Sequence, residues 1–94
     1  MANINGNGFK RWDGTSGAAF DGTNGPRNPK VKQIRIESGA TGGLTVLQID
    51  GKVFFSSVIP ADAYFSWEYG DGQYMHGLTA TTIGTNVIIT VSYA

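Results

Sequence analysis

The chain has 94 residues, seven basic and seven acidic side chains, a formal net charge of zero at pH 7, and no cysteine. This composition excludes a disulfide scaffold, and the neutral charge argues against nonspecific nucleic-acid binding as the main task. Because no run of about 18 apolar residues occurs and residues 1–20 lack an apolar centre, we expect neither a membrane span nor a signal peptide, and synthesis in a cytoplasm.

Residues 1–30 are predicted to form an extended, turn-rich arm without a core of its own. They contain six glycines, five asparagines and two prolines, and a near-repeat at 12–17 and 20–25 carries Asp-Gly and Asn-Gly steps that favour turns. No strand period runs through the segment. Its large rings are unusual for a disordered tail, so we expect them to anchor the arm to its own body, a neighbouring subunit or another protein.

The next residues predict a strand and a hairpin. From Val31 to Glu37, apolar and polar side chains alternate with the period of a half-buried strand. After a glycine-rich loop at 38–43, the runs 44–49 and 52–58 flank Asp50-Gly51, a two-residue signal for a tight hairpin.

The last third predicts further short strands. A strand over 63–69 would carry Phe65, Trp67 and Tyr69 on one face, and a turn at 70–72 would separate it from a short strand at 73–75. Strands at 78–83 and 87–93 follow, divided by a turn at 84–86. The alternation of 87–93 predicts a central or well-paired strand at the C-terminus.

These elements predict an all-β protein. Six or seven short strands without a helix are typical of a small antiparallel β-sandwich or a jelly-roll-like barrel, here a body at 31–94 preceded by the arm at 1–30. A body of this size has a thin core, and neither disulfides nor a metal site is available to reinforce it. We therefore expect a homo-oligomer.

Charge is divided along the chain. Residues through Arg35 carry six basic and two acidic side chains, a net charge of +4, whereas the remainder carries one lysine and five acidic side chains, a net charge of −4. A chain of this kind suits self-assembly or attachment through complementary surfaces.

No arrangement in the sequence predicts an enzyme. His76 is the only histidine, and the serines lack a nucleophile-elbow motif, so a triad with Asp71 is weakly supported. The Asp-Gly steps at Asp13, Asp21 and Asp71 offer one carboxylate each, whereas calcium requires six to eight oxygen ligands. We expect no catalytic residues, metal or cofactor.

Aromatic side chains are the remaining candidates for a binding surface. Tyrosine and tryptophan serve core packing, protein interfaces and carbohydrate platforms, and the sequence leaves all three roles open. The candidate interface or ligand aromatics are Tyr64, Trp67, Tyr69 and Tyr74.

The layout of residues 31–94 resembles that of small bacteriophage virion proteins. The resemblance rests on the Val-Lys-Gln-Ile strand and Gly/Ala-rich loop of 31–43, the hydrophobic-Pro-Ala segment of 58–62, the Gly-Leu-Thr strand from Gly77, and the closing strand that ends in Tyr93. It implies a β-sandwich on the phage particle, most often a capsid decoration or cement protein and sometimes a tail component.

The resulting hypothesis is a non-enzymatic protein that cements the capsid surface through its arm and subunit contacts. Its partners would be the major capsid protein or another virion protein and further copies of itself, with a trimer favoured, and neither nucleic acid nor membrane. Removing residues 1–28 should then abolish attachment and leave the body folded. The alternative is a carbohydrate- or receptor-binding module of a tail or fibre. The proposed arm contacts are Phe9, Arg11, Trp12, Phe20, Arg27 and Lys30.

Overall fold

A computed structural model of the chain describes residues 4–5, 8–13, 20, 22 and 26–94. These residues form eight β-strands and no helix. The strands are β1 (Ile4–Asn5), β2 (Phe9–Trp12), β3 (Lys30–Ser38), β4 (Gly43–Ile49), β5 (Lys52–Ile59), β6 (Tyr64–Tyr74), β7 (Thr79–Thr82) and β8 (Val87–Tyr93).

The strands pack as two antiparallel sheets. The larger sheet has the order β1-β2-β8-β3-β6 and the smaller has the order β5-β4-β7. Inward-facing side chains of both sheets meet in one core, which is the arrangement of a β-sandwich. The predicted all-β class is confirmed; five of the eight strands lie wholly in residues 31–94, and β3 begins one residue earlier, at Lys30.

The hairpin between β4 and β5 confirms its sequence signal. Asp50 has a φ of 53° and Gly51 a φ of 79°, so both central residues have the positive φ of a primed turn. Ile49 pairs with Lys52 immediately beside this turn. The tight turn makes β4 and β5 neighbours, and it leaves β5 at the edge of the smaller sheet.

Two predictions for the last third were wrong in detail. The turn at 70–72 does not end a strand, because β6 continues to Tyr74 with an irregular segment that slips the β3–β6 register between Val31 and Gln33. Gly70 and Gly72 accommodate this irregularity with φ values of 57° and 112°. The strand expected over 78–83 is shorter and spans Thr79–Thr82.

The N-terminal residues contribute to the sandwich, contrary to the expectation that no strand lies there. β2 pairs antiparallel with β8, with Lys10 opposite Val91 and Trp12 opposite Ile89. This pairing makes β8 a central strand, as its alternation predicts. Four residues are too few to reveal a strand period in a glycine-rich segment, so the strand depends on a tertiary partner.

The rings of the arm lie in the core of their own chain. Trp12 and Phe20 are 0% and 1% exposed, with ring centroids 6.1 Å apart in an edge-to-face arrangement. Phe20 also meets Tyr93 edge to face at 5.1 Å, and the buried Lys10 places its Nζ 4.8 Å from the centre of the Phe20 ring. The sequence left open whether these rings anchor the arm to its own body, to a neighbouring subunit or to another protein. Trp12 and Phe20 anchor it to its own body.

The start of β4 and the turn before β8 approach so closely that Gly84→Ala should destabilise the fold. A Cβ on Gly84 would lie 2.6 Å from the Cα of Gly43, and backbone cannot move aside as a flexible side chain can. We expect a loss of about 1–3 kcal/mol in the free energy of unfolding, measured by chemical denaturation. Gly39→Ala is the control, because its Cβ would meet nothing closer than Asn86 Cβ at 3.7 Å. Equal losses in both variants would contradict the close approach.

Candidate protein contact surface

The middle of the outer face of the larger sheet is polar. The cross-strand register places Arg11, Thr90, Arg35 and Ser66 in one row across four strands. Arg35 Nε lies 3.3 Å from Glu37 Oε1, and Arg11 forms a second ion pair of 3.4 Å with a neighbouring aspartate. Charged and hydroxyl side chains of this kind are typical of a face that is in contact with water.

The outer face of the smaller sheet carries no charged side chain. Thr45 and Leu47 are buried, so the alternate residues of β4 face outward, and register assigns the outward positions of β5 and β7. Leu44 and Val58 form a cross-strand pair there that is 48% and 69% exposed. The outward set is Leu44, Val46, Gln48, Val53, Ser56, Val58, Thr79 and Thr82. We call this set the neutral face.

Exposed aromatic side chains adjoin the neutral face where the sandwich opens between β5 and β6. Phe55 contacts Trp67 edge to face at 5.3 Å, and Phe65 stacks on Trp67 at 6.1 Å. Phe54 and Phe65 remain 41% and 39% exposed. We call this opening the aromatic cleft. The contact between Phe55 and Trp67 thus links the two sheets at their open side.

The aromatic cleft has the size of one apolar side chain. Its cavity is about 110 Å³ and is lined by Ile34, Leu47, Phe54, Phe55, Trp67 and Tyr69. Pockets for small molecules are commonly about 300–1,000 Å³ and combine apolar walls with several polar groups. A single leucine, isoleucine or phenylalanine of another protein therefore fits this cleft better than a sugar or cofactor does.

Burial raises the pKa of the Tyr69 phenol above its usual value of 10.0. Folding therefore favours the neutral phenol, and the associated stability is fully present below pH 10 and declines as the pH rises toward and through the folded-state pKa. We expect the free energy of unfolding of wild type to fall more than that of Tyr69→Phe when the pH rises above 10. Near pH 7 this pH-dependent difference between the two proteins should be absent. Denaturation curves at both pH values measure this, and parallel behaviour of the two proteins would contradict it.

The candidate tyrosines do not form one platform. Tyr64 pairs with Glu37 and Tyr74 with Lys30, so the two rings lie about seven residues of β3 apart, roughly 23 Å at the usual rise per residue. Both are more than 60% exposed, whereas Trp67 and Tyr69 are half-buried in the aromatic cleft. This separation favours a protein interface over a sugar-stacking surface.

The predicted arm contacts lie in two different environments. Trp12 and Phe20 are buried, so their rings present no surface to a partner of the folded chain. The accessible members are Phe9, which is 39% exposed, Arg11 and Lys30, which are half-buried, and Arg27, which is exposed. Asp21, one of the Asp-Gly steps considered for calcium, lies outside the described residues.

The other polar groups singled out from the sequence lie at exposed positions or are engaged in the fold in the described part of the chain. His76 Nδ1 lies 3.5 Å from Asp50 Oδ1, and both partners are at least half exposed. A larger open cleft of about 660 Å³ includes Asp13, Glu37 and Ser38. Ser38 Oγ is engaged in the fold, since it donates to the Pro60 carbonyl and accepts from Ala63 N–H. Among the described residues, no three histidine, cysteine or acidic side chains cluster as metal ligands.

Sequence reasoning missed the neutral face. Its signal was present in β4, where Leu44 and Val46 share one parity while Leu47 and Ile49 share the other. Apolar residues at both parities indicate a strand covered on both faces, yet nothing in the described chain covers the outer one.

The comparisons with known proteins add no identification, since no family model, curated protein or solved structure matched this chain. The described residues contain no helix that is long and apolar enough to cross a membrane.

Proposed function

We propose that this chain is a non-enzymatic structural protein that attaches to another protein of a bacteriophage particle and stabilises the capsid. The observation that carries the proposal is the contrast between the charged outer face of the larger sheet and the neutral face of the smaller one. An apolar surface rimmed by polar residues is typical of a protein interaction site. The phage setting comes from the resemblance of residues 31–94 to virion proteins.

The neutral face has the chemistry of a stable, long-lived protein contact. Leu44, Val53 and Val58 are each at least 48% exposed, and burial of such side chains contributes about 25 cal/mol per Å². The face carries no charge that would have to be desolvated. Copies that are joined to one another and attach together to a repeated capsid surface would bind more tightly than one copy does.

The arm would contribute accessible groups away from this surface, since Arg11 lies on the outer face of the larger sheet. Arg11, Arg27 and Lys30 supply positive charge, and Phe9 supplies an exposed ring. Charged groups outside the apolar contact mainly direct encounter and fix orientation. The proposed division is therefore an apolar contact through the neutral face and electrostatic guidance by the arm.

The direct test uses particles assembled from a genome that lacks the coding sequence of this chain. Added protein should bind these particles at a fixed copy number relative to the major capsid protein, and it should raise their resistance to heat. Mass spectrometry of purified particles gives the copy number, and electron microscopy gives its position on head or tail. Absence from the particle, or binding to glycans without binding to particles, would overturn the proposal and support the receptor-binding alternative.

A further inference from the structure

One side of the sandwich carries two long edge strands without the usual protection against pairing. Of the four edges, β1 has two residues and β7 has four, while β5 has eight and β6 has eleven. Natural edges are shortened, or are blocked by lysine and proline. The segment Tyr64–Tyr69 contains neither, and its only charged residue is Glu68.

The regular part of β6 is short and well defined. Its ladder with β3 runs without interruption from Tyr64, opposite Glu37, to Glu68, opposite Gln33, before the irregular segment begins. In the described part of the chain no strand pairs with the other edge of β6. An additional antiparallel strand would therefore add along five residues, and Ser66 is at their centre.

This segment is complementary to itself. A two-fold axis at Ser66 would place Trp67 opposite the partner's Phe65 on the inward face and Glu68 opposite the partner's Tyr64 on the outward face. Aromatic cross-strand pairs are favourable, and no like charges meet. On β5, the residues from Val53 to Ile59 are all uncharged, so the adjoining edge would meet no repulsion either.

The available area suits a stable pair. The molecule measures 32 × 25 × 25 Å. A side of 32 × 25 Å sets an upper limit of about 800 Å² for the area that each copy could contribute, and this limit equals the share of each partner in a standard interface. Exposed Phe54 and Phe65 lie on this side, and the aromatic cleft has room for one apolar side chain of a neighbour.

We propose that two copies of this chain pair through their β6 edges about a two-fold axis at Ser66, which joins the two larger sheets into one ten-stranded sheet. The occupant of this edge is thus a second copy. This goes beyond the proposed function, and it agrees with the expectation from the sequence that the chain forms a homo-oligomer. The sequence favoured a trimer, whereas a self-complementary edge favours an even-numbered assembly.

Ser66 itself provides the test, because a residue on a two-fold axis meets its own copy. Ser66→Lys and Ser66→Asp each place like charges opposite one another, and each should weaken association about tenfold or more. An equimolar mixture of the two variants should restore the pair as a heterodimer. Sedimentation measures the mass, with 10.0 kDa for one chain and about 20 kDa for the pair.

Ser92→Lys is the matched control. It adds the same charge on the same outer face, on β8, two strands away from the edge, and should leave association unchanged. Circular dichroism confirms that each variant is folded. Ser66 is exposed, and the hydrogen bond its Oγ accepts from Gln33 Nε2 lies at the surface, so little stability is lost.

Each outcome is decisive. A dimer that both single variants disrupt and their mixture restores supports the two-fold edge. A monomeric wild type at about 100 μM, far above the dissociation constants of stable dimers, would overturn it, as would a trimer that is insensitive to both variants. Stronger association of Ser66→Lys would also overturn it, since that places the axis at Trp67, where residue 66 faces Glu68. Attachment to particles is measured in a separate experiment, so failure of the proposed function can be distinguished from failure of the proposed pair.

Discussion

Trp12→Ala will lower the free energy of unfolding by about 3–5 kcal/mol, the usual cost of removing a buried aromatic ring. Trp12 is fully buried opposite Ile89, and its ring packs against Phe20. Truncation would leave a cavity at the junction between the arm and the central strand β8. Chemical denaturation followed by circular dichroism measures the loss. A protein of this size commonly has only 5–15 kcal/mol of stability, so the variant should be close to unfolding at 37 °C.

Two variants separate packing from general sensitivity of the arm. Phe9→Ala changes an exposed ring on the same strand and should cost less than about 1 kcal/mol. Trp12→Phe should fall between wild type and Trp12→Ala, because Trp12 Nε1 has no hydrogen-bond partner among the described residues. A Trp12→Ala protein as stable as Phe9→Ala would contradict the burial of the arm.

The burial of Trp12 and Phe20 also changes what truncation can test. Removing residues 1–28 deletes both rings, the buried Lys10 and the strand that pairs with β8. We therefore expect the truncated chain to be unstable, and loss of attachment would then say nothing about a direct contact. Point variants at accessible arm residues, such as Arg27→Ala, are the sharper test of the arm.

The sequence predicted the elements whose signals are local. The Asp50-Gly51 hairpin needs only two residues with positive φ, and the alternation of 87–93 is long enough to define a strand. The four residues of β2 gave no comparable signal, because that strand exists only through its pairing with β8. Sequence reasoning likewise could not decide whether Trp12 faces its own core or a partner, since the same ring suits both.

The candidate surface was only partly predictable for a related reason. The alternation of β6 correctly assigned Phe65, Trp67 and Tyr69 to one face, as the pairing of Trp67 with buried Ile34 shows. Whether an aromatic face is covered depends on its place in the sheet, and here β6 is at the edge. The neutral face was missed because Leu44 and Val58 look like core residues until the topology leaves their side of the sheet uncovered.

A charge in the centre of the neutral face should abolish attachment. Val58 is 69% exposed and lies opposite Leu44, so Val58→Asp costs the folded chain little and places a carboxylate where an apolar contact is proposed. Burying an unpaired charge at an interface costs several kcal/mol. We therefore expect affinity for particles to fall about 100-fold or more, measured by titrating labelled protein against particles that lack it.

Two controls make this loss specific to the neutral face. Val58→Thr keeps the branched shape without a charge and should retain most of the affinity, because the hydroxyl costs far less to desolvate than a carboxylate does. Ser92→Asp places the same carboxylate on the outer face of the larger sheet, between Phe9 and Gln33, and should lower the affinity far less than Val58→Asp does, because this position lies outside the neutral face. Because both aspartate variants change net charge equally, a general electrostatic effect would weaken both. If Val58→Asp binds particles as tightly as wild type does, attachment uses another surface, and the accessible arm residues become the remaining candidate contacts.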